Sequence, residues 1–370
     1  MREKVTLGSL CNPPKKQVSL EGDTMIDYFD ISSVDNACKE IISYETYEFS
    51  EAPSRARKLV DEGNIIISTV RPNLNAVAMF GVKTANIPIV STGFCVLDCK
   101  ENVDPGFVFN FCKSKTFIED MVSKSTGASY PAVSDKIIRE ATIPLYSYAE
   151  QKTIASKLEK VTTIITLKKQ ELNELDNLIK SRFVELFGDI VLNPKCFTEG
   201  NVSEYCKMTQ GTQIPMSEQV GEYQQGYYRY LYIRDLKYND DNWIYVQDRY
   251  DDKKLTDKDL VVVNTGNTAG EIYYGKDGIL SNNLFKVSFD SEILNTNYMY
   301  AYFSSKQFQN MLWSEMKEGT QPHLGHKIFG SKKLLVPPIE LQNQFAEFIQ
   351  QVDKLKFRNT KIINTQYTKG

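Results

Sequence analysis

The strongest constraint on the fold is that the second half of the chain repeats the first. When residues 107–161 are aligned with the residues 191 positions further on, ten of the 55 pairs are identical, whereas unrelated sequences of ordinary composition would give about three. The identities include Ser114/Ser305, Lys115/Lys306, Phe117/Phe308, Pro131/Pro322, Lys136/Lys327, Ile137/Ile328, Gln151/Gln342 and Ala155/Ala346. A repeat of this length is far too long for a solenoid, so the sequence predicts two copies of one domain.

The repeat continues upstream as short runs of β-branched and aromatic residues. The matching runs are 28–32 and 230–234, 65–69 and 261–265, and 89–91 and 279–281. Such runs, bounded by Gly, Asn and Asp, predict strands. Residues 107–124 and 298–315 are each predicted to form an amphipathic helix. Each copy is therefore predicted to be a mixed α/β globule that leads into a long helix.

Apolar residues follow each globule at alternating spacings of three and four. In the first helix they are Ile154, Leu158, Val161, Ile165, Leu172, Leu175, Ile179 and Leu186, and in the second they are Phe345, Ile349, Val352 and Ile363. Lys168 and Arg182 occupy two further positions of the same seam. This spacing predicts a coiled coil. Because both helices follow the same globule at the same offset, we expect them to pair with each other.

These patterns divide the chain into four segments. Residues 1–148 and 189–338 are predicted to be the two globular domains, and 149–188 and 339–370 the two helices. The predicted fold class is therefore mixed α/β, with two duplicated domains separated by a long antiparallel two-helix coiled coil. A continuous helix from residue 149 to residue 187 would be about 58 Å long. We expect it to act as a spacer between the domains.

The charge of the chain gives no sign of a nucleic-acid partner. The formal net charge is −3, and residues 1–149 and 189–338 each carry 16 basic and 19 acidic side chains. DNA-binding domains often show a basic excess. A DNA-binding face on this chain must therefore come from the local arrangement of its basic residues.

Known catalytic and cofactor-binding motifs are missing from the sequence. Residues 12–14 are Asn-Pro-Pro, but Lys15 follows where an adenine methyltransferase needs an aromatic residue to stack on the base. The only histidines are His323 and His326, and none of the seven cysteines forms a Cys-x-x-Cys pair. Neither a Walker motif nor a Gly-x-Ser-x-Gly elbow occurs. We expect no catalytic residue, no metal site and no cofactor.

Hydropathy argues against a membrane partner. No stretch of about eighteen apolar residues occurs, and the first residues lack the apolar core of a signal peptide. We expect a cytoplasmic protein.

Several motifs occur in the same order in both copies. Pro-containing segments at 143–145 and 336–338 each lead into a helix that contains Gln-x-x-(Ile/Phe)-Ala, beginning at Gln151 and at Gln342. The first helix closes with the sequence Lys-Ser-Arg-Phe-Val-Glu-Leu-Phe-Gly-Asp at 180–189. This ordered set covers nearly the whole chain and closely resembles the conserved helices of type I restriction–modification specificity subunits.

The resemblance implies a function and a set of partners. Each globule would be a target recognition domain that reads one half of a split, asymmetric site in double-stranded DNA. The coiled-coil residues named above would dock two adenine-N6 methyltransferase subunits, and restriction (motor–nuclease) subunits would join that core. The chain departs from the family pattern in one respect, because the closing segment 182–189 has no counterpart after the second helix.

Two other functions are compatible with the sequence. The chain could be a structural coiled-coil scaffold whose globules bind proteins, or the recognition part of a self-sufficient restriction or modification enzyme. A scaffold would select no DNA sequence. A self-sufficient enzyme would need a nuclease or cofactor-binding domain, and the repeat leaves no stretch of chain to hold one.

Comparison of the two copies predicts which residues touch DNA. Two domains that read different sequences should share phosphate contacts and differ where they read bases. The predicted phosphate contacts are Lys115, Lys136, Lys306 and Lys327. The predicted base-reading residues lie in divergent polar loops and are Arg71, Asn73, Thr92, Gly93, Ser125, Thr126, Ser129 and Tyr130 in the first copy, and Asn267, Thr268, Asn282, Asn283, Thr320, Gln321 and His323 in the second.

Overall fold

A computed structural model describes residues 2–238, 242–315 and 322–367, with side chains as far as residue 363. The chain divides into two compact units, Met1–Thr166 and Leu167–Gly370, called here the first and second unit. The boundary between them falls inside one long helix.

The first unit is a mixed α/β globule. In chain order its elements are β1 (Lys4–Thr6), α1 (Leu7–Leu10), β2 (Met25–Phe29), β3 (Val34–Asp35), β4 (Glu40–Ile41), β5 (Glu45–Glu48), β6 (Ala56–Leu59), β7 (Ile65–Ser68), β8 (Val77–Met79), β9 (Ile87–Ser91), β10 (Phe94–Leu97), α2 (Pro105–Cys112), α3 (Lys115–Ser123), α4 (Asp135–Glu140), β11 (Thr142–Pro144) and the start of α5 (Tyr148–Phe187). One sheet has the order β5-β2-β9-β6, with β2 and β9 parallel, and another has the order β10-β7-β8.

The second unit repeats this arrangement. Its elements are β12 (Thr198–Asn201), α6 (Val202–Tyr205), β13 (Cys206–Gln210), β14 (Tyr227–Leu231), α7 (Ile233–Lys237), β15 (Ile244–Gln247), β16 (Lys254–Leu255), β17 (Leu260–Val263), β18 (Ile272–Tyr274), β19 (Gly278–Leu280), β20 (Leu284–Phe289), α8 (Thr296–Ser304), α9 (Lys306–Trp313), α10 (His326–Gly330), β21 (Lys333–Val336) and α11 (Ile339–Tyr367), after the end of α5. The sheets are β15-β14-β19-β16, with β14 and β19 parallel, and β13-β20-β17-β18. The predicted α/β class and duplication are confirmed.

The central strand of each copy is buried along its whole length and almost entirely apolar, because both of its faces are covered. Successive side chains of a strand point to opposite faces. In β7, Ile65 and Ile67 pack in the same core as Val108 of α2, whereas Ile66 packs in a second core with Phe29. In β17, alternate residues divide between two cores in the same way. This strand therefore fixes the position of the loop that follows it.

The alignment of 65–69 with 261–265 was wrong by one residue. Ile65 lies opposite Met79 and Leu97, and Leu260 lies opposite Tyr274 and Val287. Ile65 therefore corresponds to Leu260. A one-residue slip moves every side chain to the other face, but in a strand that is buried on both faces the slip leaves the apolar pattern unchanged.

The single helices predicted for 107–124 and 298–315 are each two helices. The break comes at Ser114 and at Ser305, whose hydroxyl oxygens accept the backbone N–H of Phe117 and Phe308, each at 3.2 Å. A serine at this position caps a new helix by satisfying one of its free N–H groups. The apolar periodicity runs across the break, so periodicity did not indicate it.

The two long helices pair antiparallel within the second unit. The guanidinium of Arg182 in α5 lies 5.9 Å from the ring centre of Phe348 in α11, and Asp176 forms an ion pair of 2.5 Å with Lys356. Residues later in α5 thus contact residues earlier in α11, and the predicted antiparallel pairing is confirmed.

Burial along the predicted seam is uneven. Leu186, Phe345, Ile349, Val352 and Ile363 are buried, and Ile154, Val161, Ile165, Leu172, Leu175 and Ile179 are half-buried. Leu158, in the first unit, is 40% exposed. The polar seam residue Asn359 is buried, and Lys168 pairs with Glu171 at 2.6 Å. Polar groups at seam positions favour one register over its alternatives.

Candidate nucleic-acid interface

Three loops of the first unit meet where β7 and β9 end. The backbone N–H and the hydroxyl of Thr69 both donate to the carbonyl oxygen of Gly93, at 2.8 and 2.9 Å. Val133 donates to the carbonyl of Thr69 at 2.8 Å, and Arg71 donates to that of Pro131 at 2.7 Å. These bonds join residues 69–75, 92–93 and 125–133, which form the first loop cluster.

The second unit holds its loops together with the same backbone bonds. Asn264 donates to the carbonyl of Asn283 at 3.1 Å, and Leu324 donates to that of Asn264 at 2.8 Å. Gly266 donates to the carbonyl of Pro322 at 3.0 Å. Residues 264–268, 281–283 and 322–324 form the second loop cluster.

The two clusters share their backbone scaffold and differ in their side chains. The strand register makes Thr69 equivalent to Asn264 and Arg71 equivalent to Gly266. Each of the three backbone hydrogen bonds of one cluster therefore has its counterpart in the other, although the side chains around it have changed. Two domains that share a scaffold but read different sequences require this combination.

Most of the predicted base-reading residues lie in these clusters and reach solvent. Exposed members are Arg71, Asn73, Thr126, Ser129, Tyr130, Asn267, Asn282, Asn283 and His323. Half-buried members are Thr92, Gly93, Ser125 and Thr268. Thr320 and Gln321 lie outside the described residues. The structure thus brings together loops that are far apart in sequence, while base reading itself remains a prediction.

The two histidines have different surroundings. His323 is exposed, and its Nδ1 lies 3.3 Å from the hydroxyl of Thr265. His326 packs against the ring of Phe285, with centroids 4.7 Å apart. Burial, together with the nearby His323, lowers the pKa of His326. We therefore regard His326 as a packing residue and His323 as the one available to a ligand.

A fourth loop, which the sequence did not indicate, joins the second cluster. The side-chain amide of Gln210 donates to the carbonyl of Asn282 at 2.6 Å. The next residue, Gly211, runs so close to the chain that a Cβ there would lie 2.0 Å from the carbonyl oxygen of Ser281. The loop ends with exposed Gln213. The first copy has Pro13-Pro14 in this region, so comparison of the copies could not find the loop.

The four predicted phosphate contacts are exposed lysines at two kinds of position. Lys136 lies in the first turn of α4 just after the first cluster, and Lys327 lies in α10 just after the second. Lys115 is the first residue of α3. The other end of this helix leads into the first cluster and lies about 12 Å away. Lys306 occupies the same position in α9. Position therefore favours Lys136 and Lys327 over the other pair.

Weak ion pairs leave the lysines of the first unit available. Lys115 lies 3.6 Å from Glu119, and Lys136 lies 3.8 Å from Glu140, each one helical turn away on an exposed surface. Pairs of this kind contribute at most about 1 kcal/mol, so a phosphate can replace the carboxylate.

The described residues include neither a metal-ligand cluster nor a membrane-spanning helix. Within them, no group of three or more His, Cys, Asp or Glu side chains is arranged to hold a metal ion. No helix in the described part of the chain is long and apolar enough to cross a membrane.

The duplicated α/β domains carry loop clusters that share one backbone scaffold and differ in their side chains, as expected of a protein that makes two related but different recognitions. The chain belongs to the type I restriction modification DNA specificity domain family, whose sequence model matches residues 2–177 and 194–367. This is a family of specificity subunits, so the chain is a recognition protein rather than an enzyme.

Individual relatives agree with this assignment. The type I restriction enzyme MjaVIII specificity subunit of Methanocaldococcus jannaschii is 29% identical over 185 residues, which is 48% of this chain and 40% of that relative. The alignment therefore spans less than half the length of the relative.

Solved structures show the same fold. The S subunit of a type I restriction–modification system from M. genitalium has a TM-score of 0.60 at 16% identity, covering 99% of this chain and 93% of that one. A chain from work on complex assembly and conformational transition of the type I R-M system has a TM-score of 0.63 at 23% identity, covering 99% and 94%. At these identities the likeness concerns the fold alone.

Proposed function

We propose that this chain is the DNA-reading subunit of a type I restriction–modification complex, and that each loop cluster reads one half of a split, asymmetric site. The observation that carries the proposal is the matching set of backbone hydrogen bonds around different side chains. Sequence is read by side chains that reach base edges, whereas a shared scaffold only positions them. Different side chains on one scaffold predict different half-sites.

The exposed side chains of the clusters suit base edges in the major groove. The side-chain amide of Asn or Gln can bond adenine through both its carbonyl oxygen and its NH2 group, and the guanidinium of Arg can bond guanine through two N–H groups. The second cluster presents Asn267, Asn282 and Asn283, with Gln213 beside them. The first presents Arg71 and Asn73. Lys136 and Lys327, next to the clusters, would contact phosphates and supply the local positive charge that the net charge does not.

We further propose that adenine-N6 methyltransferase docks on one flank of the coiled coil, and that restriction subunits join the resulting core. Leu178 and Ile362 each precede a seam residue, and Leu355 lies one heptad before Ile362. The exposed fractions of Leu178, Leu355 and Ile362 are 47%, 45% and 39%. In an antiparallel pair these heptad positions share one side, which we call the apolar flank. An exposed apolar strip of this kind marks an interaction site.

The opposite side of the coiled coil is polar. It carries Lys169, Asp176, Asp353 and Thr360, all exposed. This side is the polar flank, and its composition makes it a poor site for a stable, largely apolar interface. One methyltransferase subunit would therefore lie on the apolar flank of the second unit, and the duplication implies a second subunit on the first half of α5.

Selection from a random duplex pool tests the reading function. We expect the chain, purified with its methyltransferase, to select two short fixed sequences separated by an unread spacer. Replacing Asn282 and Asn283 together by Ala should relax the second half-site and leave the first unchanged. The control is Glu222→Ala, which changes an exposed side chain of the second unit outside the cluster. Selection of no sequence by the unaltered complex would favour the scaffold alternative.

A further inference from the structure

Arg71 has a backbone conformation that its residue type disfavours. Its φ and ψ are 50° and 61°, in the left-handed region. Side chains with a Cβ rarely adopt this region, whereas glycine does so without strain. The equivalent residue of the second cluster is Gly266, whose φ is 91°. Both residues donate their backbone N–H to a proline carbonyl, so the scaffold needs the conformation, and the second copy meets that need with glycine.

The arginine side chain is stacked and otherwise free. Its guanidinium carbon lies 4.7 Å from the ring centre of Tyr130, and both side chains are exposed. Among the described residues the guanidinium forms no ion pair and donates no hydrogen bond. Stacking on an aromatic ring holds the planar group in place while its N–H edges stay open. A strained residue held in this way at a candidate site is expected to serve the function of the site.

We propose that Arg71 reads a guanine in the half-site of the first domain, and that the second domain reads no base from the equivalent position. The fork of N–H donors on a guanidinium matches the O6 and N7 acceptors of guanine, and this is the commonest specific contact between protein and DNA. Gly266 has no side chain to make such a contact. The inference rests on the proposed function and adds to it the identity of one base.

The substitution Arg71→Gly tests the inference with little risk to the fold. It places in the first cluster the residue that the second cluster has at the same backbone position, and it removes the left-handed strain. We expect one guanine of the first half-site to become degenerate in selection or methylation profiling, with the second half-site unchanged. Binding to the original site should fall by about 10- to 100-fold, as expected for loss of one bidentate contact.

Two more variants separate base reading from simple charge. Arg71→Lys keeps the charge but loses the fork, so it should also relax the guanine position. Tyr130→Ala removes the stacking ring and should weaken the preference for guanine without abolishing binding. If Arg71→Gly binds more weakly but selects an unchanged consensus, Arg71 contacts a phosphate and the inference is overturned. If both binding and consensus are unaltered, Arg71 makes no important contact with DNA, and the inference is overturned as well. If the unaltered complex selects no sequence, the proposed function itself fails.

Discussion

At the scale of single residues, the loop clusters depend on a few positions where backbone geometry permits little choice. Gly211 is one, because the chain passes so close to Ser281 that no Cβ fits between them. Thr212 then donates its N–H to the carbonyl of Leu280 at 2.9 Å. These contacts carry Gln213 to the edge of the second cluster, so the glycine positions a loop that we propose to lie against DNA.

Gly211→Ala should therefore destabilise the second unit and disturb its half-site. A methyl group forced against a backbone carbonyl costs about 1–3 kcal/mol or more. Hydrogen exchange of the β13 and β20 amides should become faster, and the second half-site should weaken while the first is kept. The matched control is Gly221→Ala, where a Cβ would meet nothing within 4 Å. Equal amide protection in the Gly211→Ala and Gly221→Ala variants would contradict the proposed importance of the close approach between Gly211 and Ser281.

The sequence predicted a large part of the candidate site, and the reasons for its gaps are local. Divergent polar loops that follow matched strands could be found by comparing the copies, and the structure does bring these loops together. The loop at Gln210 has no counterpart in the first copy, so no comparison could reveal it. The strain at Arg71 was also invisible, because φ depends on the proline carbonyl that its N–H must reach.

At the scale of elements, the long helices were the easiest to predict and the short ones the hardest. The heptad pattern indicated a helix over 149–187, and α5 is Tyr148–Phe187. By contrast, Ser114 and Ser305 divide stretches that looked continuous. Periodicity reports which face of a helix is buried, whereas a break depends on one capping hydroxyl, which periodicity cannot detect.

The apolar flank gives a prediction at this scale. Replacing Leu178 and Leu355 together by Asp should prevent copurification with the methyltransferase, because two charges would be buried in an apolar contact. The matched control, Lys169→Asp with Thr360→Asp on the polar flank, introduces the same residue type into the same helices. Circular dichroism should show similar helix content for both variants. If the variant with Asp at both Leu178 and Leu355 assembled with the methyltransferase as well as the control does, docking on the apolar flank would be refuted.

At the scale of the whole molecule, duplication would allow one chain to read an asymmetric site. A symmetric dimer presents identical surfaces, and these suit a palindrome. Two copies on one chain can diverge separately, and here they keep equal charge while their exposed loop residues differ. The spacing between half-sites would then be set by the helix that joins the domains. We expect the site to span about 10 to 17 base pairs, from one helical turn of DNA to the length of a 58 Å helix.

A heptad inserted after Lys168 tests most directly whether two reading domains are spaced by this helix. Seven residues preserve the seam and lengthen the helix by about 10 Å, or about three base pairs. As a control, a two-residue insertion at the same point turns the rest of the helix by about 200°, which moves the seam to the opposite face and should abolish methylation. Methylome sequencing of a strain that carries the heptad insertion should show both half-sites unchanged and a longer spacer. Retained methylation with the original spacer would contradict the central claim.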